Sequence, residues 1–269
     1  MSAKHAGDAR SGGTVCIKIG GSTIDTPGLL AEFGRSIEVL AARGHAPVVV
    51  HGGGKDIGRQ LAKLNKQYMF VEGMRVTDAE TMQAVQMVLS GDVNKRIVNA
   101  LLGEGVSAVG VCGIDAGLFE AEKLVINGAD IGCVGTIARV DTRIVDLCGA
   151  NGMVPVVSPV SRDRAGEIYN VNADLAASEL AKALGAGHLI FVSDVDGVLI
   201  DSSVAREIRV GDVEFLAGQR HITGGMLPKL RAAADAVNNG VGRVHICGWR
   251  GVRTFVEELS DSWQGTVVY

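Results

Sequence analysis

The sequence predicts an α/β fold in which an open, mostly parallel sheet is sandwiched between helices and carries one β-hairpin excursion. Short apolar runs alternate with amphipathic segments along the chain, and several runs end in glycine turns. The composition agrees, because 47% of the residues are hydrophobic, 37 are glycine and only 4% are aromatic. A chain of 269 residues also supports a sizeable core, since about 75% of the unfolded surface is buried at this size.

The first half of the chain begins with a β-α-β unit. The apolar run 14–19 ends at Gly20-Gly21, and an amphipathic segment and a second apolar run follow it. A later helix has Thr77 or Asp78 as its expected N-cap. The predicted strands are 14–19, 47–51 and 107–111, and the predicted helices are 29–43, 54–64, 78–90 and 94–102.

The second half contains the hairpin excursion and the rest of the sheet. Residues 119–140 consist of short β-prone pieces interrupted by Asn127-Gly128 and Gly132, a pattern typical of a hairpin, and we expect this hairpin to form a lid or rim. The alanine-rich segment 173–184 is predicted to be helical, as are 213–219 and 228–239. The remaining predicted strands are 153–158, 189–193, 243–246 and 266–268.

The chain shows no repeat, low-complexity tract or proline-rich linker, which favours a single domain over residues 14–268. We expect two lobes of one sheet, at about 14–168 and 169–268, with the junction near 166–172. Residues 1–13 are small and polar and lack the apolar region of a signal peptide, so we expect a disordered segment there. No apolar run approaches the ~20 residues that span a bilayer, which favours a cytoplasmic protein without a membrane partner.

Charge and cysteine content exclude further classes. The formal net charge is −4, so the chain has no global positive field to attract nucleic acid or an anionic membrane. The five cysteines are odd in number and show no C-x-x-C spacing, which argues against a disulfide framework and a zinc site. Small buried thiols in a reducing cytoplasm are the simplest interpretation.

Two glycine turns are the first candidate site. Gly20-Gly21 and Gly52-Gly53-Gly54 follow neighbouring predicted strands, and backbone N–H groups of such turns can converge on phosphate or carboxylate oxygens. We therefore expect Gly20, Gly21 and Gly52 to cradle phosphate at the carboxyl edge of the sheet. The alternative is that these glycines only turn the chain.

Lys18 is the second candidate, because it lies inside an otherwise apolar strand directly before the first glycine turn. A lysine is seldom buried without an anionic partner, although a lysine at a strand end can also extend to solvent.

Common nucleotide signatures are missing or weak. Gly54-Lys55 is followed by Asp56 and lacks the upstream glycine of a P-loop, which excludes that class. The spacing of Gly52, Gly54 and Gly58 is only loosely similar to a dinucleotide-binding turn, with Glu72 about 20 residues on.

Seven blocks of this chain resemble the amino-acid kinase family in order and approximate spacing: KIGG, HGGG, GMRVTDAETM, VNKRIVNAL, YNVNADLAA, SDVDGVL and ITGGMLPKL. The resemblance covers residues 14–268 and is strongest to the N-acetylglutamate kinase branch. It implies the amino-acid kinase fold and ATP-dependent phosphorylation of the γ-carboxylate of N-acetyl-L-glutamate, in arginine biosynthesis. A related kinase acting on carrier-linked α-aminoadipate or glutamate, or on another amino-acid carboxylate, is the alternative.

The resemblance also implies roles for individual residues. It places Lys18 and Lys229 around the transferring phosphoryl group, with Asp174 orienting both, although an acid in the first turn of a helix could simply stabilise that helix. It places the acetylamino acid on Gly53, Gly54, Arg75 and Asn170. It places the nucleotide on Asp194, Val195, Asp196, Gly197, Val198, Leu199, His221, Ile222 and Thr223.

The resemblance is incomplete at a few positions. Lys55 stands where proline is frequent in the family, and the segment 113–117 lacks the lysine of a commoner pattern. Members that are inhibited by arginine resemble one another in a longer N-terminal helix that assembles hexamers. Because the leading residues here are few and polar, we expect a homodimer that is insensitive to arginine.

The implied chemistry needs positive charge more than proton transfer. A γ-carboxylate with a pKa of about 4.3 is already ionised at pH 7, so no general base is needed. Carboxylate and triphosphate repel each other, and Lys18, Lys229, Mg²⁺ and the glycine N–H groups would offset that repulsion. We expect Mg²⁺ to bind mainly through phosphate oxygens and water, without a protein metal site. An amino-acid or nucleotide binding module and a dinucleotide oxidoreductase remain as alternatives.

Overall fold

The computed structural model describes residues 12–26, 28–201, 203–218, 222, 226–261 and 263–269. Most of the predicted N-terminal segment 1–13 therefore lies outside the described residues. None of the described helices is long and apolar enough to cross a membrane.

The helices and strands alternate as the sequence predicts. The α-helices in the described residues are α1 (Ser22–Asp25), α2 (Leu29–Ala42), α3 (Gly54–Lys63), α4 (Ala79–Gln86), α5 (Asn94–Gly103), α6 (Arg143–Ala150), α7 (Ala173–Ala183), α8 (Val213–Gly218), α9 (Met226–Asn238) and α10 (Thr254–Glu258). The strands are β1 (Thr14–Ile19), β2 (Ala46–His51), β3 (Phe70–Val71), β4 (Met74–Arg75), β5 (Ala108–Cys112), β6 (Phe119–Ile126), β7 (Ala129–Val140), β8 (Val154–Ser158), β9 (Ser161–Arg162), β10 (Ile168–Val171), β11 (His188–Ser193), β12 (Leu199–Ile200), β13 (Ser203–Val204), β14 (Glu207–Ile208), β15 (Arg243–Gly248) and β16 (Thr266–Val268).

The central sheet has eight strands in the order β14-β16-β15-β11-β1-β2-β8-β5. All neighbours are parallel except β15 and β16, so the predicted α/β fold with a mostly parallel sheet is confirmed. Strand β1 lies in the middle, with β2 on one side and β11 on the other, and Lys18 pairs with Val50 and Phe191. The strand order reverses at β1, where open α/β sheets bind ligands beyond the carboxyl ends of the strands.

The predicted hairpin is confirmed as β6 and β7. Its turn, Asn127-Gly128, has positive φ at both residues, 50° and 79°, as a tight hairpin turn requires. Strands β9 and β10 join the hairpin in a small sheet that closes on itself. Strands β9 and β10 and helix α6 were not predicted from the sequence, because two-residue to four-residue strands and a single eight-residue helix carry little periodic signal.

One predicted helix boundary is wrong. We expected separate helices at 78–90 and 94–102, but a π-helical segment, Met87–Val93, joins α4 to α5 without a break. Gly91 resembles a helix end in the sequence, yet a widened turn accommodates it within one rod. The predicted N-cap is confirmed, because Asp78 accepts a hydrogen bond of 2.8 Å from the Thr81 N–H.

Two apolar layers cover the two faces of the sheet. On one face α2 and α5 bury Phe33, Leu40 and Leu101, and on the other face α7 and α9 bury Leu180 and Leu230. Both layers draw residues from either side of position 168, because one sheet continues through the whole molecule.

Replacing the cap residue, Asp78→Ala, is expected to lower the free energy of unfolding by about 1 kcal/mol at pH 7. The ion pair with Lys66, at 2.8 Å, and the Thr81 N–H lower the pKa of Asp78 to about 2, so its contribution is present above the ordinary aspartate pKa and is lost as the pH falls toward 2. Urea unfolding between pH 2 and 7 measures this, and the difference between the variant and wild type should shrink below pH 4. Asp78→Asn, which retains a capping oxygen, is the control and should lose less.

Candidate functional site

A carboxylate between two lysines lies at the carboxyl edge of the central sheet. Lys18 comes from β1, Asp174 from the first turn of α7 and Lys229 from the first turn of α9. Lys18 Nζ forms an ion pair of 2.8 Å with Asp174 Oδ1, and Lys229 Nζ donates a hydrogen bond of 2.6 Å to Oδ2. The fold thus joins three residues that are far apart in the sequence, and each side chain is less than a quarter exposed.

The electrostatics of this cluster are those of one anion shared by two cations. Burial alone would raise the pKa of Asp174, but Lys18 and Lys229 outweigh burial and lower the pKa to about 2. Burial lowers the pKa of Lys229, Asp174 opposes this effect, and the neighbouring Lys18 adds to the lowering. The carboxylate is therefore ionised at neutral pH, and the cluster carries a net positive charge when both lysines are protonated.

The first glycine turn lies directly beside Lys18. A Cβ atom on Gly20 would stand 3.3 Å from Lys18 Nζ, so a side chain there would crowd the ammonium group. Gly21 has φ of 45°, a left-handed conformation that favours glycine. The second turn is tied to the first strand, because the Gly52 N–H donates to the Ile19 carbonyl at 3.0 Å. The two predicted glycine loops are therefore neighbours at one edge.

A cavity of about 180 Å³ opens next to this cluster. It contains all the residues predicted for the acetylamino acid, namely Gly53, Gly54, Arg75 and Asn170, together with Gly52. Ala173, which precedes Asp174, also lines it. The apolar part of its wall, which was not predicted from the sequence, includes Ile57, Phe70, Met74, Leu89, Val134, Pro159 and Val171.

Arg75 is the cationic group of the cavity and is only 7% exposed. Its Nη2 donates to the Gly54 carbonyl at 3.0 Å, and its guanidinium lies 4.0 Å and 4.7 Å from the ring centres of Tyr68 and Phe70. Among the described residues its buried Nη1 has no hydrogen-bond partner. A buried donor of this kind is costly to leave unsatisfied, which indicates an anionic ligand in the cavity.

Two hydrogen bonds hold Asn170 in the wall of the cavity. Its Nδ2 donates to Thr77 Oγ1 at 3.2 Å, and the Thr77 hydroxyl donates to the Arg75 carbonyl at 2.6 Å. This chain of hydrogen bonds connects β10 to the segment after β4. It fixes the Asn170 side chain relative to the backbone of Arg75.

The segment predicted to contact nucleotide follows β11. Asp194, Val195, Asp196 and Leu199 are exposed at the sheet edge, and the Asp194 carboxylate lies about 4.0 Å from where a Cβ on Gly21 would be. Gly197 and Val198 are instead buried, and the Val198 N–H donates to Thr266 Oγ1 at 2.8 Å. The Val198 side chain therefore packs in the core, and the nucleotide contact predicted for this residue stays a prediction.

The last predicted nucleotide residues are only partly described. His221 and Thr223 lie outside the described residues. Ile222 is 5% exposed and belongs to the apolar layer that contains α7 and α9. Its side chain thus packs in the core, and the prediction that this residue contacts nucleotide stays a prediction.

Comparison with known proteins identifies the family of this chain. The sequence model of the Amino acid kinase family matches residues 13–248. The chain belongs to this family. Membership agrees with the lysine pair at the carboxyl edge, and it sets aside the dinucleotide oxidoreductase alternative.

Individual family members are similar over nearly the whole chain. An acetylglutamate kinase of Halothermothrix orenii is 42% identical, over 96% of this chain and 91% of its own length. An acetylglutamate kinase of Geobacillus kaustophilus is 42% identical, over 96% of both chains. The solved structure of N-acetylglutamate synthase from Neisseria gonorrhoeae, complexed with coenzyme A and N-acetyl-glutamate, superimposes with a TM-score of 0.85 at 25% identity, and this amino-acid kinase chain covers 60% of that longer protein.

Proposed function

We propose that this chain phosphorylates the γ-carboxylate of N-acetyl-L-glutamate with ATP, giving N-acetylglutamyl 5-phosphate in arginine biosynthesis. The observation that carries the proposal is the Lys18–Asp174–Lys229 cluster beside a cavity with an unsatisfied buried arginine nitrogen. The similarity to acetylglutamate kinases, at about 40% identity over nearly the whole chain, supports the choice of substrate.

Charge compensation is the main work of the site. The attacking carboxylate and the γ-phosphate are both anions, and the two ammonium groups would stabilise the negative charge shared between them in the transition state. Asp174 would hold the two lysines at a fixed separation. Of the described carboxylates, Asp174 is the one that pairs with both ammonium groups.

The cavity would hold the acetylamino acid. The free Nη1 of Arg75 would donate to the carboxylate that does not react, while its Nη2 remains on Gly54. Asn170 would contact the acetylamino group, and the N–H groups of Gly53 and Gly54 would donate to the reacting oxygens. The apolar wall would exclude water from the reaction.

ATP would lie across the Gly20-Gly21 turn and the exposed part of 194–199, with the divalent ion Mg²⁺ on its phosphates. Among the described residues no three carboxylate, imidazole or thiol groups are arranged to bind a metal, and both oxygens of Asp174 already face ammonium groups. This fits an ion held by phosphate oxygens and water, which when bound would add positive charge to the phosphates.

The proposal also covers the two lobes of the chain, its assembly and its cellular compartment. We assign residues 14–168 mainly to the amino acid and 169–268 mainly to ATP, with Asn170 at the junction. We also propose that the protein is cytoplasmic, since all five cysteines are unpaired thiols. We propose a homodimer because the family resemblance indicates that assembly. Light scattering on the purified protein measures the assembly, and a monomeric mass would contradict it.

Replacing the cavity arginine, Arg75→Ala, is expected to raise KM for N-acetyl-L-glutamate at least ~10-fold with a smaller change in KM for ATP. The reason is that a charge-assisted hydrogen bond to one carboxylate is worth about 1.5–3 kcal/mol. Steady-state kinetics with each substrate varied in turn measures this. Arg139→Ala, which removes a surface arginine that pairs with Glu120, is the control. A selective rise in KM for ATP would move Arg75 to the nucleotide side.

Trapping of the acyl phosphate with hydroxylamine tests the proposed substrate directly. N-acetyl-L-glutamate, L-glutamate, L-aspartate and α-aminoadipate, both free and carrier-linked, are offered with ATP and Mg²⁺. The expected result is hydroxamate formation at the highest kcat/KM with N-acetyl-L-glutamate. Preference for a carrier-linked acceptor would favour the related-kinase alternative, and ligand binding without any hydroxamate would favour a binding module.

A further inference from the structure

A buried pair of polar side chains lies behind the second glycine turn. His51 ends β2 and is 0% exposed, and Asn94 begins α5 and is 1% exposed. Asn94 Nδ2 lies 3.2 Å from His51 Nε2, and His51 Nδ1 lies 2.9 Å from the Gly52 carbonyl. The family resemblance gave neither residue a role, although both belong to the blocks that carry it.

The surrounding acceptors determine which atoms of this pair carry hydrogen. Asn94 Nδ2 lies 2.9 Å from the Val156 carbonyl, which can only accept, so the amide nitrogen must face that side. Asn94 Oδ1 in turn accepts from Lys95 Nζ at 3.0 Å. The Gly52 carbonyl can only accept, so the proton of a neutral His51 resides on Nδ1 and donates to it. The unprotonated Nε2 can then accept from the Asn94 amide, whose nitrogen also lies 3.4 Å from the Val111 carbonyl.

This hydrogen bond sets the direction of one peptide group. The described chain has no cis peptide bond, so the Gly52 carbonyl and the Gly53 N–H point in opposite directions. The Gly52 carbonyl is held against His51, which turns the Gly53 N–H away from the His51 ring. Both glycines line the 180 Å³ cavity.

Three other backbone groups of the turn are already occupied. The Gly52 N–H donates to Ile19, the Gly53 carbonyl accepts from Ile57, and the Gly54 carbonyl accepts from Arg75. Among the described residues the Gly53 N–H has no acceptor, as expected at the start of a helix. The Gly54 N–H likewise has no acceptor among these residues, but only the Gly53 N–H belongs to the peptide group that the His51 hydrogen bond orients toward an anionic ligand.

We propose that His51 and Asn94 are positioning residues that aim the Gly53 N–H at the anion in the cavity. This rests on the proposed function, in which that anion is the carboxylate or phosphoryl group undergoing transfer. The π-helical segment that contains Leu89 and Val93 supports the same turn, because a Cβ on Gly53 would stand 2.6 Å from Leu89 Cδ2 and 3.2 Å from Val93 Cγ2. One segment thus both packs against Gly53 and delivers Asn94 to His51.

The neutral state of His51 is consistent with its surroundings. Burial, together with the charges of Arg96 and Lys95, lowers the pKa of His51 to about 4, although the hydrogen bond to Gly52 opposes the shift. At pH 7 the ring is neutral, so it can accept from Asn94 and donate to Gly52 at the same time.

The tautomer is tested first, because this readout needs no catalysis. Long-range ¹H–¹⁵N spectra of protein labelled at histidine nitrogen, with the His51 signal assigned by its loss in His51→Asn, report which ring nitrogen carries the proton. The expected result at pH 7 is a proton on Nδ1. A proton on Nε2, or on both nitrogens, would overturn the proposal whatever the substrate of the enzyme proves to be.

Three substitutions then separate positioning from packing. His51→Asn places an amide donor near the position of Nδ1 and is expected to keep kcat within ~10-fold of wild type. His51→Gln and His51→Leu lack that donor and are expected to lose ~100-fold or more in kcat, the range for losing one backbone donor to a developing negative charge, with a smaller change in KM for ATP.

The control is His188→Asn, which changes a histidine whose Nδ1 lies 3.0 Å from His245 Nε2, across β11 and β15, and which does not line the cavity. Its kcat should stay at the wild-type level. Equal losses in all three His51 variants, or no loss in any, would overturn the positioning role. Failure of wild type to phosphorylate any acceptor would instead refute the proposed function, and the spectra would still decide the orientation of His51.

Discussion

Lys18→Ala and Lys229→Ala are each expected to lower kcat at least ~100-fold, the range for removing one electrostatic stabiliser from a transition state. Each lysine contributes one of the two ammonium groups that face Asp174, at 2.8 Å and 2.6 Å. With one of them gone, the remaining lysine is neutralised by the carboxylate, and the cluster loses its net positive charge. The effect should therefore appear in the chemical step more than in binding of N-acetyl-L-glutamate.

Single-turnover measurements of acyl phosphate formation separate chemistry from product release in these variants. Lys182→Ala is a matched control, because Lys182 is also largely buried and pairs with two carboxylates, Glu179 at 2.6 Å and Asp235 at 2.8 Å, away from the cavity. Its single-turnover rate should equal that of wild type. Turnover within threefold of wild type in either Lys18→Ala or Lys229→Ala would refute the assigned role.

The sequence could predict Lys18 and both glycine turns because these signals are local. A lysine inside an apolar strand needs an anionic partner, glycines at the ends of strands leave room for one, and parallel pairing of β1 with β2 brings them together. Lys229 and Asp174 carry no such local signal, since each simply lies in the first turn of a helix. Only the resemblance to a family linked these two residues to Lys18. That β1, α7 and α9 bring the three side chains together could be seen only in the folded structure.

His51, Asn94 and Val198 show the limits of sequence reasoning more sharply. Nothing in the sequence distinguishes the π-helical segment before Asn94 from a helix end, so the contact of Asn94 with His51 was not foreseeable. Val198 lies within a block that resembles a nucleotide-binding segment, yet its side chain is buried. A motif indicates that a segment approaches a ligand, but the backbone geometry decides which side chains face it.

Asp174→Asn is expected to lower kcat at least ~100-fold, although the new side chain has the same shape as the old one. The substitution removes the only negative charge between two ammonium groups, which then repel each other and lose their fixed separation. Leaving buried charges without their partner also costs about 3 kcal/mol of the free energy of unfolding. Steady-state kinetics and urea unfolding at pH 7 measure the two effects. Asp235→Asn, which weakens the Lys182 cluster, is the control for kcat.

The pH profile of Asp174→Asn distinguishes charge from shape. In wild type, Asp174 raises the pKa of Lys229 against the lowering effects of burial and Lys18, so removing the carboxylate charge must lower that pKa further. Lys229 then loses its proton at lower pH, and the alkaline fall in the residual kcat should move toward neutral pH relative to wild type. Profiles of kcat between pH 6 and 10 measure this shift. An alkaline limb that stays in place would mean that Lys229 does not act as a cation held by Asp174. Electrostatic coupling requires the pKa of Lys229 to fall when the charge of Asp174 is removed.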